Sequence, residues 1–230
     1  MPFYYYFDPT ILIVLPALIF TLWAQINVKS TFEKYKRIHT DSRISGYDAA
    51  RRILDSNGLY DVKIERISGD LTDHYDPRSN VIRLSDSVHD STSAAAVGVA
   101  AHEAGHAVQH SVGYFPIKVR QAIIPVTRIG SSLAMPLFLI GIILAATPLM
   151  YAGIIFYALA VVFQLITLPV EFNASRRAMA ALEGGGDLTK NELSASKKVL
   201  TAAALTYVAA LATALLSLLR LIVIANGRRR

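Results

Sequence analysis

The sequence predicts a mainly α integral membrane protein with about four transmembrane helices and one small α+β polar region. Three observations carry that prediction. Hydrophobic residues make up 53% of the 230 residues and charged residues only 17%, a balance shifted from soluble globular proteins toward membrane ones. Uncharged runs recur at Pro9–Val28, Ile129–Val170 and Val199–Leu219, each long enough for one or two bilayer crossings of about 20 residues. Between the first two runs, residues 29–128 hold fourteen Lys or Arg and twelve Asp or Glu, a composition that faces water.

Residues 1–28 are expected to form the first transmembrane helix. Met1–Phe7 is aromatic and carries no basic residue, and the following run lacks the basic start and small-residue cleavage site of a secretory signal. Trp23 and the tyrosines near the N-terminus suit the aromatic belt of a membrane interface. Within residues 29–128, Gly46–Asn57 places Tyr47, Ala50, Ile53 and Leu54 at helical spacing and stops at Asn57-Gly58. Asp61–Ser68 reads as a strand. Leu71–Tyr75 and Asn80–Ser85 read as a hairpin turned by Asp76-Pro77-Arg78-Ser79. The alanine- and valine-rich stretch Ser93–His110 reads as one helix, with Asp90, Ser91 or Thr92 as N-caps. A strand just before that helix is placed to offer its edge to an extended peptide. The alternative, that Asn80–Ser85 only covers the helix, has equal support.

Ile129–Val170 contains forty-two residues and no charged side chain. One helix of that length overshoots a bilayer whereas two fit, so residues 129–170 are expected to form a transmembrane hairpin turned at Thr147-Pro148. Residues 171–198 are polar again and flexible at Gly184-Gly185-Gly186. Residues 199–230 supply the last transmembrane helix and a basic tail, with Arg220 expected to snorkel to the interface.

The net charge is +6. Its basic residues flank apolar segments, so they point to a lipid bilayer and not to nucleic acid. No basic residue precedes the first span and both polar regions are basic. Both are therefore expected in the cytoplasm of a multi-pass cell-membrane protein. With four spans, Arg228-Arg229-Arg230 then falls on the other side, against the same rule. The path of the last segment (tilted, short or re-entrant) stays open.

The chemistry centres on Ala101-His102-Glu103-Ala104-Gly105-His106-Ala107. Histidines four apart share one helix face, about 6 Å apart along the axis. Two imidazoles at that spacing can grip one metal ion, usually tetrahedral zinc, and Glu103 can accept a proton from the attacking water. The short pattern also arises by chance, with His102 and His106 as core histidines. The small neighbours Ala100, Ala101, Ala104, Gly105 and Ala107 favour the metal reading, because they let a cofactor and a substrate backbone approach. The chain has no cysteine, so a metal must use His and carboxylate.

A catalytic zinc needs a third protein ligand. His110 lies eight residues from His102, about 12 Å along the axis, too far to share the ion. Val112 stands where the metzincin pattern requires histidine. A chain that leaves the motif helix and crosses the bilayer twice returns to the side it left. The first acidic residue on return is Glu171, expected at the start of a new helix, where its carboxylate completes a His-His-Glu set. Otherwise Glu171 only marks the membrane boundary.

His-Glu-Ala-Gly-His, an uncharged double span, and then Glu171-Phe172-Asn173-Ala174-Ser175-Arg176-Arg177-Ala178 together resemble the YugP-like family of bacterial membrane zinc metallopeptidases. The likeness covers most of the chain, including Tyr75-Asp76-Pro77-Arg78 and Val81-Ile82-Arg83-Leu84-Ser85. In layout the chain is similar to the HtpX and CAAX prenyl protease group of integral-membrane gluzincins. That resemblance implies a zincin-like cytoplasmic region and a Glu-x-x-x-Asp motif whose Glu binds zinc and whose Asp supports a ligand histidine. Glu171 matches the first position. The second is Ser175, which can make one hydrogen bond in either direction. The departure bears on histidine orientation, worth about ten- to a hundredfold in metal affinity or activity.

The expected activity is therefore zinc-dependent endopeptidase action, with one Zn²⁺ per chain on His102, His106 and Glu171 and with Glu103 as general base. Asn173, Arg176, Arg177 and Tyr75 are candidates to steady the oxyanion. Substrates are expected to be peptides or membrane proteins exposed near the cytoplasmic face. An intramembrane protease requires an acidic ligand within a later span, and Ile129–Val170 holds none. A transporter requires intramembrane charges that are missing. The rival from another class is a non-catalytic membrane protein that binds a partner peptide through a metal-stabilised cleft. It has no use for Glu103.

Overall fold

A computed structural model describes residues 8–227. The expected tyrosine anchors at Tyr4, Tyr5 and Tyr6 and the Arg228-Arg229-Arg230 tail lie outside the described residues. The order is α1 (Ile11–Tyr35), α2 (Gly46–Ser56), β1 (Lys63–Ile67), β2 (His74–Asp76), β3 (Val81–Ser85), α3 (Ala94–Ser111), α4 (Phe115–Ile143), α5 (Thr147–Gly185) and α6 (Lys190–Gly227). The protein is mainly α, and α1, α4, α5 and α6 are each long and apolar enough to cross a membrane. The chain divides into two compact units. One gathers the described residues up to Ala24, Val119–Thr167 and those from Thr206 on, the other Gln25–Lys118 and Leu168–Leu205.

In the first unit, glycines set how closely helices approach. A Cβ on Gly153 of α5 falls 2.7 Å from the Ala134 carbonyl oxygen, and one on Gly130 of α4 falls 2.6 Å from Leu159. Such close contact is how helices associate where lipid removes the hydrophobic drive. Phe138, Met150 and Ile154 pack with Leu221 and Ala225 of α6. Arg220 does not snorkel freely. Its Nη2 donates to Asp8 at 2.7 Å and its Nε to Thr10 Oγ1 at 3.0 Å. The pair places the C-terminal part of α6 beside the start of α1 and neutralises a charge that the basic-residue count treats as free.

Helix boundaries differ from expectation in one consistent way: the helices run on past the uncharged segments. The turn between α4 and α5 falls at Leu144–Ala146, with Ala145 at φ 52°, and Pro148 sits in the first turn of α5, where its missing N–H costs nothing. α5 continues unbroken for 39 residues, about 58 Å at 1.5 Å per residue, well beyond a hydrocarbon core of about 30 Å. Glu171 is therefore not at the start of a new helix. It rides on the same one, because extending a helix keeps its backbone hydrogen bonds whereas breaking it at the interface sacrifices them. α5 ends where the glycines indicated, with Gly186 at φ 71°, the left-handed conformation glycine adopts without strain.

In the second unit, α2 begins with a capping box in which Ser45 and Asp48 bond each other's backbone N–H, and Asn57 forms its C-cap. The sheet order is β1-β3-β2, with β1 parallel and β2 antiparallel to β3. The turn after β2 is held by Asp76, which accepts from Arg78 N–H at 3.0 Å and Ser79 Oγ at 2.6 Å. β3 is thus paired on both sides and offers no edge. The end strands are β1 and β2, and both β2 and β3 pack on α3. α3 is capped by Ser93, one residue past the expected candidates, through Ala96 N–H. It is wrapped nearly all round, with Ala95, Ala100, Ala101 and Ala104 fully buried among Leu54, Ile82, Leu84 and Val199.

Candidate metal centre

α3 and α5 meet at a glycine. A Cβ on Gly105 would stand 2.7 Å from the Ala174 carbonyl oxygen, so only glycine lets the two backbones come this close. That approach lays the face of α3 carrying His102 and His106 against the turn of α5 carrying Glu171 and Ser175. Gly105→Ala is expected to cost about 1–3 kcal/mol by overpacking. It should also lower zinc affinity as α5 shifts, both measurable by thermal unfolding and metal titration.

The three side chains converge. Glu171 Oε2 lies 3.3 Å from His102 Nε2 and 3.5 Å from His106 Nε2, and one ligand atom from each residue lies within 4.8 Å of the others. Zinc bonds of about 2.0–2.1 Å at tetrahedral angles put ligand atoms about 3.3–3.4 Å apart. The two separations from Glu171 therefore match edges of a zinc tetrahedron, and the donor set of two imidazoles and one carboxylate suits that ion. His106 is 9% exposed, Glu103 8% and Glu171 2%. Burial alone lowers the pKa of His106, but the hydrogen bond and charge of Glu171, with the charge of Glu103, hold it above its ordinary value.

Each imidazole is held from behind through Nδ1. His102 Nδ1 lies 3.1 Å from Ser175 Oγ, so Ser175, which stands at the aspartate position of the motif the chain resembles, reaches the His102 ring. Ser175→Asp is expected to tighten zinc binding by up to about tenfold, since a charged acceptor fixes the ring better than a hydroxyl; competition with a chelator measures it. His106 Nδ1 lies 3.0 Å from Gln109 Oε1. Gln109 is wholly buried and its Nε2 donates to Val170 O at 2.8 Å and Asn173 Oδ1 at 2.9 Å.

The remaining candidates are scattered around this centre. Arg177 Nε donates to Asn173 Oδ1 at 2.9 Å. Tyr75 donates its hydroxyl to Asn80 Oδ1 at 2.9 Å, its ring lies edge-on to His110, and burial raises its pKa. Arg176 has no hydrogen bond or ion pair among the described residues. It lines a groove of about 460 Å³ between α5 and α6 with Phe172, Ser175, Lys197 and Leu200. Sequence reasoning missed two residues. Gln109 sits three positions after His106, a spacing that shares a helix face and marks it in retrospect. Asp73 accepts from Ser85 N–H at 2.7 Å, and its pKa is raised by burial, against the Ser85 hydrogen bonds, with Glu103's charge adding to the rise. No spacing pattern links Asp73 to Glu103.

Comparison with known proteins agrees with this geometry. Residues 10–226 match the family model described as "Putative neutral zinc metallopeptidase". The chain belongs to this zinc metallopeptidase family. It is 49% identical over 219 residues to a Bacillus subtilis (strain 168) protein named "Putative membrane protease YugP", covering 95% of this chain and 97% of that one. No solved structure matches it significantly. Membership, the His-His-Glu cluster and the four apolar helices agree on a multi-pass membrane member of this metallopeptidase family.

Proposed function

We propose that this protein is a zinc-dependent endopeptidase that hydrolyses peptide bonds of membrane or membrane-proximal proteins at the cytoplasmic face. The observation that carries the reading is the convergence of His102, His106 and Glu171 beside the buried Glu103. His102 Nε2, His106 Nε2 and Glu171 Oε2 would hold the ion. A zinc ion there would supply Lewis-acid polarisation of the scissile carbonyl and acidify an attacking water toward neutral pH. Glu103 accepts that water's proton as the nucleophile forms and returns it to the leaving amine. Its burial keeps competing bulk water from the carboxylate. Of the four oxyanion candidates, Arg176 is the one whose side chain makes no hydrogen bond or ion pair at all among the described residues, and it is the proposed oxyanion donor.

The substrate enters as an extended chain. β2, the end strand of the sheet beside α3, offers main-chain hydrogen bonds to it. The groove flanked by Ser175 and Arg176 takes its apolar side chains. Glu171 follows directly on the uncharged run that ends at Val170. Cleavage is therefore proposed close to the bilayer, on the side where the basic residues of both polar regions lie.

The purified protein in lipid nanodiscs is expected to contain one zinc per chain and to cleave a membrane-anchored peptide reporter. A chelator should abolish cleavage and added zinc restore it. A protein that holds its zinc yet cleaves no reporter in a panel of membrane-proximal sequences contradicts the enzymatic reading and favours the peptide-binding one.

A further inference from the structure

The buried amide of Gln109 sits in a chain of hydrogen bonds whose polarity is set at its far end. A guanidinium N–H can only donate, so the atom of Asn173 that lies 2.9 Å from Arg177 Nε is its carbonyl oxygen, Oδ1. That same oxygen lies 2.9 Å from Gln109, and an acceptor there demands the NH₂ end of the glutamine. The backbone oxygen of Val170, also able only to accept, lies 2.8 Å from the same nitrogen and makes the same demand independently. The orientation of the Gln109 amide is therefore determined twice over. Its other end, Oε1, must face His106, 3.0 Å from Nδ1. An oxygen without a proton leaves Nδ1 one role, that of donor.

We infer that Gln109 is a positioning residue which keeps the proton of His106 on Nδ1 and so reserves Nε2 for the metal. The inference rests on the metal-site reading above, but it concerns the protein before as well as after metal arrives. Nδ1 stays protonated whether Nε2 is bare, shares a proton with Glu171 3.5 Å away, or binds an ion. The wrong neutral tautomer turns a protonated Nε2 toward the centre and a bare Nδ1 toward a carbonyl oxygen, which loses a buried hydrogen bond and sets two acceptors against each other. His102 has no such constraint. The Ser175 hydroxyl 3.1 Å from its Nδ1 can donate or accept, so the two ligand histidines differ in how far the metal-free protein prepares them. The chain also fastens α3 to the segment of α5 just before and after Glu171, because Val170 and Asn173 flank that residue.

The test uses full-length protein in detergent micelles with ¹⁵N-labelled histidine side chains, and the His106 signals are assigned by their loss in His106→Asn. In metal-free wild type near pH 8, His106 Nδ1 is expected to be protonated, and to remain so on adding zinc. An unprotonated Nδ1, or an even mixture of tautomers, overturns the inference. Gln109→Met, of similar shape without polar atoms, is expected to allow both tautomers and weaken zinc binding by about ten- to a hundredfold. Arg177→Met is expected to weaken it only a few-fold, because Val170 O still orients the amide. Zinc affinity within twofold of wild type in Gln109→Met also overturns the assignment. Should that variant fail to fold, the wild-type tautomer decides alone. A wild type that binds no zinc removes the metal-site reading, while its Nδ1 signal still answers the tautomer question.

Discussion

Glu103→Gln is expected to keep its zinc and lose its proteolysis, with the turnover rate falling by about 10²- to 10⁴-fold, the range a positioned general base contributes. Glutamine fills the same volume on α3 but has no basic oxygen, so the attacking water keeps its proton. The proposed ligand histidines lie one residue before and three after it, Glu171 lies on α5, and all three are untouched. Thermal stability should hold or rise slightly. Burial raises the pKa of Asp73 and the charge of Glu103 adds to that rise, so an uncharged amide at position 103 removes that addition. Reporter cleavage, zinc stoichiometry and unfolding temperature, measured on one preparation, test all three statements. Proteolysis at the wild-type rate refutes the role assigned to Glu103, and loss of zinc along with activity points instead to disturbance of the centre.

Glu171→Ala is expected to weaken zinc binding by more than about a hundredfold. Even the hydrogen-bond partners of metal ligands are worth ten- to a hundredfold, and here a whole ligand and its negative charge disappear. Two imidazoles remain, too few to hold a catalytic zinc against a competing chelator. Glu171→Gln should lie between alanine and wild type, since an amide oxygen keeps the shape without the charge. The wild type should also be stabilised by zinc, by about 4 kcal/mol when free ion is a thousandfold above its dissociation constant. The alanine variant should show no such shift. Zinc stoichiometry near one in Glu171→Ala means that another residue completes the set.

Local signals carried well where a few neighbouring residues decide the outcome. The amphipathic pattern of Gly46–Asn57, its Asn-Gly stop and the Asp76-Pro77 turn all correspond to α2 and the β2–β3 turn. The signals failed where alternatives differ by what lies across space. Asn80–Ser85 reads equally as a covering or an edge strand, and pairing with β1 from one side and β2 from the other makes it central. The loss of hydropathy after Val170 looks like a helix end, yet a helix can leave the bilayer intact. Arg220 looks like an unpaired charge because Asp8 stands more than two hundred residues away in the chain.

Spacing and composition alone determined the membrane class, the two histidines four residues apart, the adjacent Glu103 and, through the double crossing, the carboxylate that meets those histidines. Helical periodicity and bilayer thickness are fixed lengths, so residue counting suffices to apply them. The tertiary structure alone decided how close α3 and α5 approach, which histidine Ser175 and Gln109 each hold, and that the Gln109 amide has only one allowed orientation. Those depend on distances between atoms far apart in sequence, where one hydrogen atom at Gly105 in place of a methyl group governs whether the helices can meet.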